Sequence, residues 1–286
     1  MKSDMEKKYN YTVMDPTGNI TALVESSAEI SRRSFIAETI MKKHPEVEQV
    51  GFVSYPGISA EPVCLQMAGG EFCGNASMCA AVLFAEHTAD DSSLTEPRAE
   101  LKLIVSGADE PVPVSLEKKR PGGYTAGIKM PNALGIEVIK LEFDNKEEML
   151  PLVRMQGILH LIIAEDSAFA CLKDNRKDAE MAVRRWAAEL SAEGLGLMFI
   201  KEEQDPSEWS LIPLVFIPES KTLFWEHSCA SGSSAAGIYL SEQQGRAVDV
   251  TFKEPGGDLH VKGSMKDGIS LSGSVKIISR DTITVI

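Results

Sequence analysis

The chain has 286 residues, of which 43% are hydrophobic and 25% are charged, an ordinary globular composition that is long enough for two domains. Its formal net charge of -13 repels phosphate backbones, which excludes nucleic acid as a partner. No stretch approaches the roughly 20 apolar residues of a membrane-spanning helix, and the charged first residues lack the apolar core of a signal peptide. We therefore expect a cytoplasmic protein without a membrane partner.

The cysteines and histidines argue against a metal site. In the reducing cytoplasm the cysteines should be free thiols rather than a disulfide framework. No Cys-x-x-Cys pair occurs and the histidines are scattered along the chain, so the spacing of a structural zinc site is absent from the sequence. We predict no metal.

The first part of the chain reads as strands with two helices. Residues 9–25 indicate two strands around a Pro-Thr-Gly-Asn turn, and residues 27–46 have helical spacing with serine capping candidates. Residues 63–72 form a strand that leads to Cys73. From Gly74 to His87 apolar residues recur on one helical face, and the alanine-rich body predicts a helix buried on most sides.

The second part repeats this arrangement. Strands are predicted over residues 136–143 and 155–165, and an amphipathic helix over residues 176–192. Two further strands precede a second helix, which is rich in alanine and serine and follows Cys229. The remaining residues read as antiparallel strands and hairpins. His160, inside an apolar strand, is interpreted as a core histidine.

Two features recur in the same order. A strand leads into a cysteine and a helix with an Ala-Ala pair, and a Pro-Gly-Gly hairpin follows, at Pro121 and again at Pro255. This predicts an α+β fold of two pseudo-symmetric domains, each a curled antiparallel sheet or barrel around a central helix. We place the domains at residues 1–134 and 135–286, with the last strand, about 280–286, as a candidate to return to the first domain.

A cysteine at the start of a helix has a specific chemistry. The first N–H groups of a helix lack intrahelical acceptors and carry partial positive charge, which lowers the pKa of a thiol and binds carboxylates. If two such helices face one cleft, one thiolate removes a proton from the Cα atom of an amino acid and the opposite thiol returns one. Stabilisation of the carbanion then falls to the helix N–H groups, without a cofactor.

At this point the sequence resembles a known family. The segments GGEFCGNAS and EHSCASGSSA, each beside a helix, are similar to the two cysteine motifs of the diaminopimelate epimerase fold. An early Gly-Asn and a mid-chain Gly-x-x-His occur in the same order, so the resemblance covers the whole chain. The fold also includes proline racemase, histidine racemase and the phenazine-biosynthesis isomerases. The resemblance implies that this chain has a diaminopimelate epimerase-like architecture.

The resemblance also implies the site. Cys73 and Cys229 would be the two acid/base residues. The substrate-binding residues implied by position are Asn19, Gly74, Asn75, Glu226, Ser231, Gly232 and Ser233. The acidic residue in this set would bind the substrate ammonium.

Departures from the family pattern bear on the substrate. His227 stands where diaminopimelate epimerase has an arginine, and Ile158-Leu159 replaces Asn-Pro before His160. The side chains that bind the distal end of diaminopimelate in that enzyme are therefore missing here. The best match is a cofactor-independent histidine racemase, with a proline-type racemase or diaminopimelate epimerase as the alternative. A dehydratase or double-bond isomerase, and a non-catalytic binder of small acids, stay open. The expected partner is a small amino acid, and a homodimer is the default assembly.

Overall fold

The computed structural model describes residues 6–55, 62–88, 98–119 and 123–285, without the side chains of residues 98 and 99. These residues form an α+β fold, as predicted. Contacts divide the chain into two compact units: unit 1 contains residues 1–128 and 272–286, and unit 2 contains residues 129–271. Among the described helices none is long and apolar enough to cross a bilayer. The predicted hairpin turn at Pro121 lies outside the described residues.

The described residues of unit 1 form a sheet and two helices. Its strands are β1 (Lys7–Pro16), β2 (Thr21–Val24), β3 (Gln49–Ser54), β4 (Val63–Met67), β5 (Arg98–Val105), β6 (Val112–Lys118), β7 (Tyr124–Lys129) and the C-terminal part of β16 (Gly268–Val285). The helices are α1 (Ile30–Lys43) and α2 (Gly74–His87).

The sheet of unit 1 closes into a barrel around α2. Strands β1 to β7 are neighbours in chain order, and β16 lies beside both β7 and β1. Helix α2 packs against β1, β2, β4, β5 and β6, and its residues from Gly74 to Ala85 are all buried. The predicted burial on most sides is confirmed. Small alanine side chains allow this enclosure, because they let the helix approach the surrounding strands closely.

Helix α1 packs on β3 instead, and its buried side chains are those of Ile36, Ala37 and Ile40. The predicted serine cap of this helix is wrong. Its N-cap residue is Glu29, whose side chain makes no capping hydrogen bond.

Unit 2 has a longer sheet. Its strands are β8 (Gly135–Phe143), β9 (Lys146–Met155), β10 (Ile158–Ala164), β11 (Leu195–Glu202), β12 (Glu208–Ile217), β13 (Thr222–Trp225), β14 (Val248–Glu254), β15 (Gly257–Ser264) and the start of β16. A short 3-10 helix (Ala170–Asp174) precedes α3 (Arg176–Glu189), and α4 (Ala230–Gln244) follows β13. The strand order is β16-β15-β14-β12-β11-β10-β9-β8, with β13 on β12.

The two helices of unit 2 make different contacts with its sheet. Helix α4 packs against β9, β10, β11, β14 and β15, as α2 does against several strands in unit 1. Helix α3 packs on β11 and β12, where Trp186 is the largest fully buried side chain of a core that also contains Phe169 and Leu197. The sheet therefore holds α4 through contacts with five of its strands, whereas α3 packs on two.

The sheets are mixed, which corrects the prediction of antiparallel sheets. Parallel pairs join β2 to β3 and β4 to β5 in unit 1, and β10 to β11 and β12 to β14 in unit 2. The connections of these pairs contain α1, α2, α3 and α4 in that order, because parallel neighbours require a crossover connection. Both units thus share the order strand, helix, two strands, helix, strand, apart from the additional strand β13.

Candidate active site

Cys73 is the N-cap residue of α2. Its backbone is extended (φ −133°, ψ 113°), and its Sγ atom accepts a hydrogen bond from the N–H of Ala76 at 3.3 Å. The carbonyl of Cys73 accepts from the N–H of Ser77 at 3.0 Å and from the Ser77 hydroxyl at 2.7 Å. The thiol is therefore held over the first turn, where the helix dipole favours negative charge.

The loop before Cys73 is fixed by the turn after β5. The Ser106 hydroxyl donates to the carbonyl of Glu71 at 2.9 Å and accepts from the N–H of Met67 at 2.9 Å. Next to it, Gly107 has a φ of +72° and lies directly on the backbone of Phe72. Only glycine combines this dihedral with so close an approach, so this turn determines where the chain delivers Cys73.

Cys229 occupies the same position on α4. Its backbone is again extended (φ −132°, ψ 101°), and its Sγ atom accepts from the N–H of Gly232 at 3.3 Å. The hydroxyl of Ser231 lies 3.5 Å from Sγ. The two cysteines of the repeated motif therefore share dihedral angles, capping role and hydrogen-bond length.

The protonation of Cys229 differs from the sequence expectation of a lowered pKa. Burial is the largest influence and raises the pKa of the Cys229 thiol well above its ordinary value. The charges of Glu226 and Glu254 and a hydrogen bond with the Glu226 side chain raise this pKa further, whereas the Ser231 hydroxyl lowers it. Cys229 is consequently a thiol, the form required of an acid.

The loop that carries Glu226 and His227 is anchored through its backbone. The N–H of Glu226 donates to the carbonyl of Pro213 at 3.1 Å, and the carbonyl of His227 accepts from the N–H of Gly256 at 2.8 Å. These bonds join the loop to β12 and to the turn after β14. They hold the Glu226 carboxylate where it reaches the thiol of Cys229.

Glu254 is a buried residue of this site that the sequence analysis missed. Its Oε2 atom accepts from the N–H of Cys229 at 2.8 Å, and its Oε1 atom accepts from the hydroxyl of Ser233. The strand pattern contained the signal, because Glu254 continues the alternation of the inward residues Val248, Val250 and Phe252. An acidic residue at an inward position of a strand is a candidate for function.

The other predicted binding residues lie in both units. Gly74 and Asn75 are the first residues of α2, and both are buried. Asn19 lies in the turn between β1 and β2, is 2% exposed, and donates from Nδ2 to Glu48 at 2.7 Å. The N–H of Ser233 donates to the carbonyl of Cys229, and its hydroxyl donates to Glu254, so both of its donors make hydrogen bonds within the protein.

His160 is fully buried on β10, beside Gly196 of the parallel strand β11. Neither of its ring nitrogens has a hydrogen-bond partner in the part of the chain that the structure describes. Burial lowers the pKa of His160 from 6.5 to about 3, so the ring is neutral. The same described part contains no cluster of three or more His, Cys, Asp or Glu side chains that could hold a metal ion.

The buried imidazole should make the fold sensitive to acid. The folded state disfavours the protonated ring, so the stability that this site contributes is complete above pH 6.5 and is lost as pH falls towards 3. Between about pH 7 and about pH 5, His160→Leu should lose about 2 kcal/mol less free energy of unfolding than the parent chain. Denaturant titrations at the two pH values measure this difference. His260→Leu, at an exposed position, is the control, and an equal acid loss in all three proteins would contradict the expectation.

Sequence comparison relates the whole chain to one family. A family model described as the histidine racemase CntK N-terminal domain matches residues 8–283. A histidine racemase of Fusobacterium nucleatum subsp. nucleatum is 31% identical over 241 residues, which are 82% of this chain and 81% of that protein. A histidine racemase of Staphylococcus aureus is 27% identical over 272 residues, which are 94% of this chain and 92% of that protein.

Solved structures are similar to the fold. A hydroxyproline epimerase from Agrobacterium vitis with bound trans-4-hydroxy-L-proline has a TM-score of 0.69 at 10% identity, covering 100% of this chain and 94% of its own. A phenazine biosynthesis protein of the PhzF family from Enterococcus faecalis has a TM-score of 0.61 at 14% identity, covering 98% and 100%. At these identities the likeness concerns the fold alone.

Proposed function

Because the chain belongs to the histidine racemase family whose model matches residues 8–283, it is an isomerase, and we propose that its substrate is free histidine. The predicted enzyme class, an amino-acid racemase or epimerase, is confirmed by this membership. The observation that carries the proposed mechanism is the equivalent placement of Cys73 and Cys229 as N-caps of α2 and α4.

The proposed reaction is a proton exchange at the Cα atom. In one direction the Cys73 thiolate takes the Cα proton, and the Cys229 thiol gives its own proton to the opposite face of the resulting carbanion. The enzyme is left with a Cys73 thiol and a Cys229 thiolate, the state that catalyses the reverse direction. The thiol state of Cys229 supports its assignment as the first acid, since burial and two carboxylates oppose its ionisation.

The helix starts provide the proposed stabilisation of negative charge. Gly74 and Asn75 begin α2, and Ser231 and Gly232 follow the first residue of α4, so their backbones lie where helix N–H groups favour a carboxylate and a developing enolate. Ser233 would act indirectly, through Glu254. This arrangement needs no cofactor.

The ammonium and side chain of the substrate would be held by polar groups near these helices. Glu226 carries the negative charge that an ammonium requires and lies next to Cys229. Asn19, through its bond to Glu48, supplies a fixed amide in unit 1. We assign both to substrate binding.

Several finer predictions belong to the same proposal. We propose that the two units are copies of one ancestral domain with a diaminopimelate epimerase-like architecture, because the same order of strands and helices and the same cysteine cap recur in both. The homodimer and the cytoplasmic location remain predictions.

Deuterium incorporation tests the reaction and its substrate. Incubation of L-histidine with the enzyme in D2O should yield D-histidine that carries deuterium at Cα, detected by proton NMR and chiral chromatography. In the first few per cent of conversion the remaining L-histidine should still carry hydrogen, because each thiol serves one face and the acid has exchanged with solvent.

The substrate panel and a variant provide the controls. Proline, diaminopimelate and other amino acids at equal concentration should react much more slowly than histidine. The double variant Cys73→Ala/Cys229→Ala controls for contaminating racemases. If another amino acid exchanges its Cα proton faster than histidine does, that amino acid would be the substrate instead. Absence of Cα exchange with every amino acid tested would reject the racemase function.

A further inference from the structure

The carboxyl group of Glu254 links Cys229 to the first turn of α4. It accepts the backbone N–H of the N-cap residue Cys229 with one oxygen and the hydroxyl of Ser233 with the other. Cys229 is the N-cap residue and Ser233 lies in the first turn of α4. The carboxyl group therefore fixes the N-terminal end of α4 against β14. Neither donor can turn toward water, since Ser233 is fully buried and Cys229 is only 6% exposed.

Glu254 is buried far more deeply than its charge would normally allow. It is 8% exposed as a whole residue, and burial raises the pKa of its carboxyl group well above the usual range. The hydrogen bonds from Ser233 and from the N–H of Cys229 act in the opposite direction and favour the carboxylate. An acidic side chain held inside a protein at this cost in free energy is common at functional sites.

The other groups around the Cys229 thiol come from three elements. The loop before α4 contributes the Glu226 carboxylate, and α4 contributes the hydroxyl of Ser231. Strand β11 contributes the neutral thioether of Met198, which packs at Gly232 next to Sγ. The backbone carbonyl of His227 accepts a hydrogen bond from the N–H of Gly256, in the turn after β14. The Cys229 thiol therefore meets the charges of Glu226 and Glu254 when it ionises, and both charges raise its pKa.

We propose that Glu254 is a positioning residue that fixes the backbone of Cys229 and keeps its side chain in the thiol form until it delivers its proton. The proposal rests on the proposed function for its catalytic meaning, but the effect on the thiol is a property of unit 2 itself. A negative charge close to a thiol disfavours the thiolate, because two like charges in a buried environment repel each other. Glu254 would thus make the two cysteines unequal before substrate binds.

The first test measures the Cys229 thiolate without turnover. Thiolate formation is followed by ultraviolet absorbance from neutral to alkaline pH in Cys73→Ser, and the curve of Cys73→Ser/Cys229→Ser is subtracted. The difference isolates Cys229, since the other three cysteines and all tyrosines are common to both proteins. Adding Glu254→Gln to both proteins should move the Cys229 midpoint to lower pH by about one unit.

The matched control is Glu208→Gln on the same background. Glu208 lies on β12, pairs with the exposed Lys253 at 2.6 Å, and should leave the midpoint unchanged when neutralised. If the glutamine variant does not fold, Glu254→Met provides a second neutral side chain of similar length with the same expected shift. An unchanged or higher midpoint in the neutral variant overturns the proposal. Failure of both neutral variants to fold also overturns it, because Glu254 would then be purely structural.

The second test uses the active enzyme. The two-thiol reaction requires one thiol, so kcat/KM falls at alkaline pH when the last thiol ionises. In Glu254→Gln with both cysteines present, this alkaline limb should move to lower pH by about one unit, in parallel with the thiolate midpoint. A merely structural role would lower activity at all pH values and leave the limb in place. Absence of racemisation in the parent protein, together with a shifted thiolate midpoint in the Glu254→Gln background, would reject the proposed function and keep the effect of Glu254 on the thiol.

Discussion

Cys73→Ser and Cys229→Ser should each lower kcat for histidine racemisation by about a thousandfold or more. A serine hydroxyl ionises far above the pKa of a thiol, so it provides neither the base nor an acid of matched strength. Both variants should keep their fold, because the smaller serine side chain introduces no clash and each cysteine caps its helix through an acceptor that serine also offers. Chiral chromatography measures the rate, and circular dichroism measures the thermal unfolding.

The two variants should also differ from each other. If each thiol serves one face of Cα, Cys229→Ser should still exchange deuterium into one enantiomer of histidine without inversion, through Cys73 alone. Cys73→Ser should do the same with the other enantiomer. Cys171→Ser, which changes an exposed thiol outside the proposed site, is the matched control and should retain full activity. Near-normal turnover in Cys73→Ser or in Cys229→Ser would reject the two-base mechanism.

Gly107→Ala should destabilise unit 1 and displace Cys73. A Cβ atom at this position would lie 2.8 Å from the carbonyl carbon of Glu71 and even closer to the N atom of Phe72. Both neighbours are backbone atoms, which cannot rotate away as a side chain can. With the strain of a positive φ added, we expect a loss of about 3 kcal/mol in the free energy of unfolding. A lower kcat should accompany it, because the displaced segment leads into Cys73, the proposed base.

Gly70→Ala separates the two causes of this loss. Gly70 has a similar φ of +80°, but a Cβ there would have no atom of the described residues within 4 Å. Only the backbone strain remains, about 1 kcal/mol, and kcat should stay near that of the parent enzyme. Denaturant unfolding and steady-state kinetics of both variants make the comparison. Equal effects of the two substitutions would show that the contact with Phe72 has no influence on the site.

Local sequence determined the helices α2 and α4 and the cysteines that cap them. The alanine-rich run after Cys73 predicts a buried helix, because a helix without a charged face can be surrounded by other elements. The structure encloses this helix on most sides. The recurrence of the same motif at Cys229 predicts a second helix of the same kind, and the structure has it. Family membership confirms the racemase class that the paired cysteines indicated.

Only the tertiary structure decided how the strands pair and what surrounds the thiols. The parallel pairs, such as β4 with β5, depend on contacts between residues far apart in sequence, which a local pattern does not contain. The N-terminus of α4 favours a thiolate at Cys229, but burial and the carboxylates of Glu226 and Glu254 outweigh it and keep the thiol. Glu254 is 25 residues from Cys229 along the chain. Short-range sequence therefore determined the two cysteines that cap α2 and α4. Long-range packing decided the protonation state of Cys229, because electrostatics depends on distance in space rather than along the chain.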